Sequence, residues 1–356
     1  MTQGGGLMDR FDRAYGALLG LALGDAMGYP ALFHRIFSLP EKRRTTIWKA
    51  NRTLSDERIG QLFLPFTHRT APETLAPAPT DDTEWALLSA RAILDGWADA
   101  PDAPPSRATF LAAWERYVLA APETVVAGFS ERAAMDNLRR GLLPPDTGND
   151  NPQHYDDSAA VRAVISGIVR AGDPGAAATL AQADAEITNA EDGITAARAI
   201  AVAVALLIDG APLATALAAA RTEFPADSWI AHNDRIAREC LAEASAPLDL
   251  ALHLTRRLIN SVYTFGNVAP ETIPAAFVLC EATGGDLTMA VLVANAIPKS
   301  ADSLPALVGA LCGALRGAAA IPPAWRDAIN AVRGVCLPAL AGTRLDDTAQ
   351  QLVALR

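Results

Sequence analysis

Asp192–Arg221 reads DGITAARAIAVAVALLIDGAPLATALAAAR. The stretch is dominated by alanine and leucine and lacks the β-branched alternation of a half-buried strand. It breaks once, at Asp209-Gly210 followed by Pro212, which marks a joint between helices Gly193–Ile208 and Pro212–Arg221. Ile200–Ile208 is strongly apolar but ends at Asp209-Gly210, far short of the roughly 20 residues of a membrane span. The chain therefore reads as all-α.

Outward from this stretch the same pattern repeats. Toward the N-terminus it predicts helices over 11–26, 82–97, 107–118, 123–141, 156–172 and 175–189. Toward the C-terminus they fall over 229–246, 248–265, 272–283, 286–296, 303–317, 324–331 and 348–355. Residues 34–79 break it, with Pro40, Pro65, Pro72, Pro77 and Pro79 and little periodicity. Long irregular segments of this kind are usually functional or disordered. Residues 142–155 form a second loop, rich in Pro, Gly, Asn and Asp. No composition shift marks a boundary and no repeat of fixed period stands out. One domain over 11–356 is expected, after a flexible stretch 1–10, with both loops near a cleft.

The chain has 356 residues, 51% of them hydrophobic, enough for one large core. Its formal net charge is −10, and its only basic run is Lys42-Arg43-Arg44, which argues against nucleic acid or anionic membrane as a partner. Cys240, Cys280, Cys312 and Cys336 are widely spaced among apolar residues, with no C-x-x-C pair, and read as reduced core residues of a cytoplasmic protein. Tyr15–Gly24 has the length of a signal-peptide core, but Asp9, Arg10, Asp12 and Arg13 flank it without net positive charge, so a buried helix is expected.

Two clusters carry the chemistry. Thr80-Asp81-Asp82-Thr83 and Ala301-Asp302-Ser303 each precede an apolar helix and concentrate oxygen ligands suited to a hard cation. Each is equally what a capped helix start looks like: Asp81 with Glu84 would make a capping box, Ser303 can cap, and Pro305 suits the first turn. Asp156-Asp157-Ser158 raises the same pair of readings. His34, His68, His154, His232 and His253 lack metal-ligand spacing. Of these, only His154 is kept as a substrate contact, because it lies just before Asp156. Trp85 and Trp325 lie near the clusters and read either as stacking platforms for a base or as core residues. Gly4-Gly5-Gly6 and Gly284-Gly285 show no dinucleotide-binding pattern.

The run Gly16–Gly28, GALLGLALGDAMG, resembles the opening motif of the ADP-ribosylglycohydrolase (DraG-like) family, and Thr80-Asp81-Asp82-Thr83 is similar to that family's first metal motif. Asp156–Arg162 falls where the family carries Gly-Asn-Gly-Ala-x-x-Arg. Glu271–Ala276, Ser300–Ala310 and Ile321–Trp325 resemble its C-terminal third in order and spacing. The resemblance covers residues 11 to about 330. It implies an all-α orthogonal bundle with one or two Mg2+ in a cleft, hydrolysing the bond to the anomeric carbon of ADP-ribose. Carried over residue by residue, Thr80, Asp81 and Asp82 match one set of metal ligands and Asp302 and Ser303 part of the other. Asp25 takes a structural hydrogen-bonding role.

This chain also departs from the pattern. Pro298-Lys299-Ser300-Ala301-Asp302-Ser303 stands for Gly-Gly-Asp-x-Asp-Ser/Thr, so a carboxylate is missing at Ser300 and Lys299 adds a positive charge. Leu32 replaces a glutamate common in the family. Asp156 and Asp157 are additional acids. The expected function is metal-dependent cleavage of an N-glycosidic bond of ADP-ribose or a smaller ribosyl conjugate. Asp81, Asp82 and Asp157 are the catalytic candidates, and Asp156, Ser158 and His154 the substrate contacts. The alternatives are an inactive member that binds ADP-ribose or a related nucleotide, and a nucleoside-like N-riboside hydrolase. The partner is a small-molecule or ADP-ribosylated substrate, and the chain is a monomer or homodimer.

Overall fold

The computed structural model describes residues 3–28, 78–101, 103–120, 122–260 and 267–355, the side chains from residue 9, and five isolated positions between 29 and 77. Leu32, His34, His68 and nearly all of 34–79 lie outside the described residues. Those described form sixteen α-helices and no strand, apart from one antiparallel bridge between Ala331 and Arg344. The all-α expectation holds.

The core is built on two helices that touch backbone to backbone. Helix α1, Gln3–Met27, starts earlier than the predicted 11–26. It lies along a helix near the far end of the chain, Ser303–Arg316. Glycines at every fourth position allow the approach: a Cβ on Gly20 would stand 1.9 Å from the Gly309 carbonyl oxygen, and one on Gly24 the same 1.9 Å from that of Pro305. Any side chain there would part the helices.

The other helices follow in order. They are α2 (Asp81–Asp99), α3 (Arg107–Trp114), α4 (Phe129–Arg139), the single turn α5 (Asp146–Asn149), α6 (Ser158–Val169), α7 (Pro174–Ala185) and α8 (Glu191–Ile208). Next come α9 (Leu213–Arg221), α10 (Trp229–Glu243), α11 (Pro247–Arg257), α12 (Ala269–Ala282) and α13 (Leu287–Ala294). The long partner of α1 is α14, followed by α15 (Pro323–Ile329) and α16 (Leu345–Ala354). Helix α8, the stretch that decided the fold, packs against α6, α7 and α9. Val202, Val204 and Ile208 are buried with Leu18, Leu87, Ile93, Val161, Ile165, Leu307 and Leu311 in one continuous core.

Two boundaries differ for physical reasons. Helix α4 starts at Phe129, not 123, because the Val126 amide donates instead to the Cys336 carbonyl at 2.9 Å. Helix α12 starts at Ala269, which leaves Pro274 inside it. Proline cannot donate to the carbonyl four residues earlier; Asn233 Nδ2 takes that carbonyl, of Pro270, at 2.8 Å. The four cysteines are free and buried. No described helix is long and apolar enough to cross a membrane.

Candidate functional site

The α2 N-terminus is organised from α1. Asp25 is buried, and its carboxylate accepts hydrogen bonds from the Thr80 amide (2.7 Å) and hydroxyl (2.6 Å) and from the Thr83 amide (3.1 Å) and hydroxyl (2.6 Å). This is the structural role the resemblance assigns to it. The capping reading of the cluster fails. Thr80 is the N-cap, but its side chain makes no cap hydrogen bond. Glu84 reaches away from the helix start and accepts four amides of the C-terminal loop, from Gly334, Val335, Cys336 and Leu337, at 2.7–3.0 Å. Asp81 and Asp82 are left to line a cleft.

The second cluster meets the first there. Asp302 is the N-cap of α14 without capping by its side chain. Ser303 does not cap either: its hydroxyl donates to Asp157 Oδ1 at 3.1 Å and accepts from Asn267 Nδ2 at 3.3 Å. Asp157 is the N-cap of α6, again without a cap bond, and its Oδ2 is buried with no hydrogen-bond partner. Asp156 Oδ1 accepts from the Ser158 amide and hydroxyl and from Asn189 Nδ2 at 2.9–3.2 Å. It is an anchor for the loop as well as a cleft residue.

Asp81, Asp82, Glu131, Asp156, Asp157 and Asp302 line the cleft with Ser158, Ser303, Asn267 and Gln153, against Trp85, Phe129 and Val161. None of the described lining residues is basic. Burial, and then the charges of Asp302 and Asp81, hold the Asp82 carboxyl well above the usual range; burial followed by Asp81 and Asp157 does the same to Asp302. Burial pushes Asp157 up to about 7, with Asp156 adding to the rise. Every donor is oxygen, which suits a hard cation better than zinc. Among the described residues no three His, Cys, Asp or Glu side chains are already gathered around one point as a metal cage. Magnesium does not need such a cage, because it is bound through one or two carboxylates and keeps several waters. The orphaned Asp157 Oδ2 and the crowding of acids fit a cation.

Three side chains sit apart from the cleft or differ in placement. Lys299 does not charge the cleft: its ammonium is buried against Glu271 (2.7 Å) and the Asn260 carbonyl (2.6 Å). His154 is not among the described lining residues. Its Nδ1 meets the Asn151 carbonyl at 2.9 Å and its Nε2 faces Glu191, while Gln153 lines the cleft instead. Of the two tryptophans, Trp85 lines the cleft, with its ring 5.2 Å from that of Trp114. Trp325 lies in a separate apolar pocket with Met27 and Leu292.

The sequence alone does not mark Glu131 or Asn267, nor Gln153, as cleft residues. Glu131 sits in an ordinary charged helix, and Asn267 stands just before the apolar helix α12.

Comparisons with known proteins bear on the fold and the family. The chain is 27% identical over 337 residues to the uncharacterized protein YegU of Escherichia coli (strain K12), covering 90% of this chain and 92% of that one. Its fold is similar to that of a solved ADP-ribosylglycohydrolase-related protein complex, with a TM-score of 0.61, 22% identity and coverage of 98% of this chain and 99% of the other. The ADP-ribosylglycohydrolase family model matches residues 7–356. With nearly its whole length matched, the chain belongs to the ADP-ribosylglycohydrolase family, whose members are glycosidase-type hydrolases.

Proposed function

We propose that the chain is a Mg2+-dependent hydrolase that cleaves an N-glycosidic bond at the anomeric carbon of ADP-ribose or a smaller ribosyl conjugate. One observation carries this reading: six carboxylates and the Ser303 hydroxyl face one cleft whose described walls hold no basic side chain. Thr80, Asp81 and Asp82 from α2, with Asp302 and Ser303 from α14, would hold the ion. When bound, it supplies positive charge beside the ribose hydroxyls and makes a water more acidic.

The protein's own groups do the rest. Asp25 fixes the direction in which the Thr80 hydroxyl points, as groups behind a metal site do. Asp157, pushed up to about 7, is poised to exchange a proton near neutral pH. The remaining carboxylates stabilise the positive charge that develops at the anomeric carbon as the bond breaks. Asn267 and Gln153 offer amides to the sugar, and Trp85 and Val161 an apolar wall. The cleft encloses about 160 Å³, less than the roughly 300 Å³ of a pocket that buries a drug-sized ligand. It suits a ribosyl unit with its reacting bond, the rest of a larger conjugate lying outside.

The test is hydrolysis of ADP-ribosylarginine and of inosine, with Mg2+ and with EDTA. Release of ADP-ribose or ribose is expected with Mg2+ only, and not in Asp81→Ala or Asp82→Ala. A second reading, an inactive member that binds ADP-ribose, draws on Ser300, buried where the resemblance places a carboxylate. It predicts binding without release.

A further inference from the structure

Glu131 is a cleft carboxylate that belongs neither to the proposed metal ligands nor to the loop anchors. It stands on α4, 3% exposed, among the residues that line the cleft. Asp156 is occupied by Ser158 and Asn189, and Asp157 Oδ1 by Ser303. The contacts of Glu131 are longer: Ser130 Oγ lies 3.4 Å from Oε2, and Arg162 Nη1 lies 3.7 Å from Oε1. The Ser158 hydroxyl and the Glu131 amide also lend its carboxylate hydrogen bonds, and with these partners it still lines the cleft.

The surroundings hold that carboxylate in place. Arg162 is fully buried and anchored from behind, its Nε on Asp184 (3.2 Å) and its Nη2 on Thr188 Oγ1 (2.8 Å). Asn151 Nδ2 holds the Ser130 carbonyl at 2.9 Å, and Ser130 Oγ meets Ser158 Oγ at 2.9 Å. A Cβ at residue 128 would stand 2.6 Å from Glu131 Oε2, so Gly128 leaves the room that the carboxylate occupies. A buried acid that lines a cleft and is held by a guanidinium at 3.7 Å, beyond hydrogen-bond distance, is arranged as a general base rather than as a tight structural ion pair.

We infer that Glu131 is the base that activates the attacking water, an assignment that rests on the proposed hydrolase function. Water adds through oxygen to the anomeric carbon and gives one proton to Glu131. The carbon–nitrogen bond breaks with its electron pair on nitrogen, which takes a proton from solvent, and Glu131 then returns its proton to solvent. Water is consumed and no redox partner is needed.

The test compares wild type, Glu131→Gln and Glu131→Ala on ADP-ribosylarginine and inosine, with formate added to the alanine variant. Glu131→Gln keeps the shape of the side chain. It is expected to lower kcat by about 10²–10⁴-fold with KM changed by less than about threefold and Mg2+ binding retained. Formate should restore part of the activity of Glu131→Ala, which a merely structural role would not allow. Wild-type kcat in Glu131→Gln, or a folded alanine variant that formate does not rescue, would overturn the assignment and leave the hydrolase reading standing. Failure of the wild type itself to turn over either substrate would overturn both.

Discussion

Asp157 combines three facts at one residue: burial, an unpartnered oxygen, and a carboxyl pushed up to about 7. A folded-state value above the unfolded one near 4 means that the native state binds the proton more tightly. The stability this group contributes is full below about pH 4 and is lost as the pH rises to about 7. Asp157→Asn keeps the shape and removes that penalty. Without Mg2+ the variant is therefore expected to melt at or above the wild-type temperature at pH 8, while hydrolysis falls about 10²–10⁴-fold; thermal melts and initial rates check the two halves. The position was legible in the sequence because it stands as an extra acid inside a recognisable motif. Glu131 and the true work of Glu84 were not. A lone glutamate in a charged helix looks the same whether its carboxylate meets water, four loop amides or a substrate, and only the tertiary neighbours distinguish these.

Helix α2 shows how an element carries a site. Its first turn is fixed by Asp25 from α1, and its Glu84 gathers the amides of residues 334–337. Glu84→Gln loses the charge that those amides share and turns an NH2 group toward donors. A loss of about 2–3 kcal/mol is expected, with faster amide exchange confined first to the 334–337 loop. The α1–α14 contact makes a sharper prediction. Gly309→Ala places a methyl 2.0 Å from the Gly20 carbonyl oxygen, so chemical denaturation should show destabilisation of about 3 kcal/mol or more, or no soluble protein. Gly16, Gly20 and Gly24, and likewise Pro305, Gly309 and Gly313, recur every fourth residue. The stripe was visible in the sequence. Its partner was not, because helix spacing places small residues on one face without saying which distant face they meet.

Across the whole molecule, the path from α1 through α14 places Asp25, Asp81, Asp82, Asp302 and Ser303 around one end of the central helix pair, although Asp25 and Ser303 lie far apart in the chain. Burial and mutual repulsion raise the Asp82 and Asp302 carboxyls, so a divalent cation competes with protons there. Mg2+ should therefore raise the melting temperature more at pH 8 than at pH 5, and EDTA should reverse the gain. Substrate identity was the part least legible in the sequence, since the motifs place carboxylates and hydroxyls in the cleft and carry no information about a leaving group. The most direct measurement is an anomalous difference map from crystals grown with Mn2+ in place of Mg2+. The account predicts a peak in the cleft within about 2.6 Å of carboxylate oxygens of both Asp82 and Asp302; a cleft without a peak at saturating Mn2+, or a peak bound elsewhere, would contradict it.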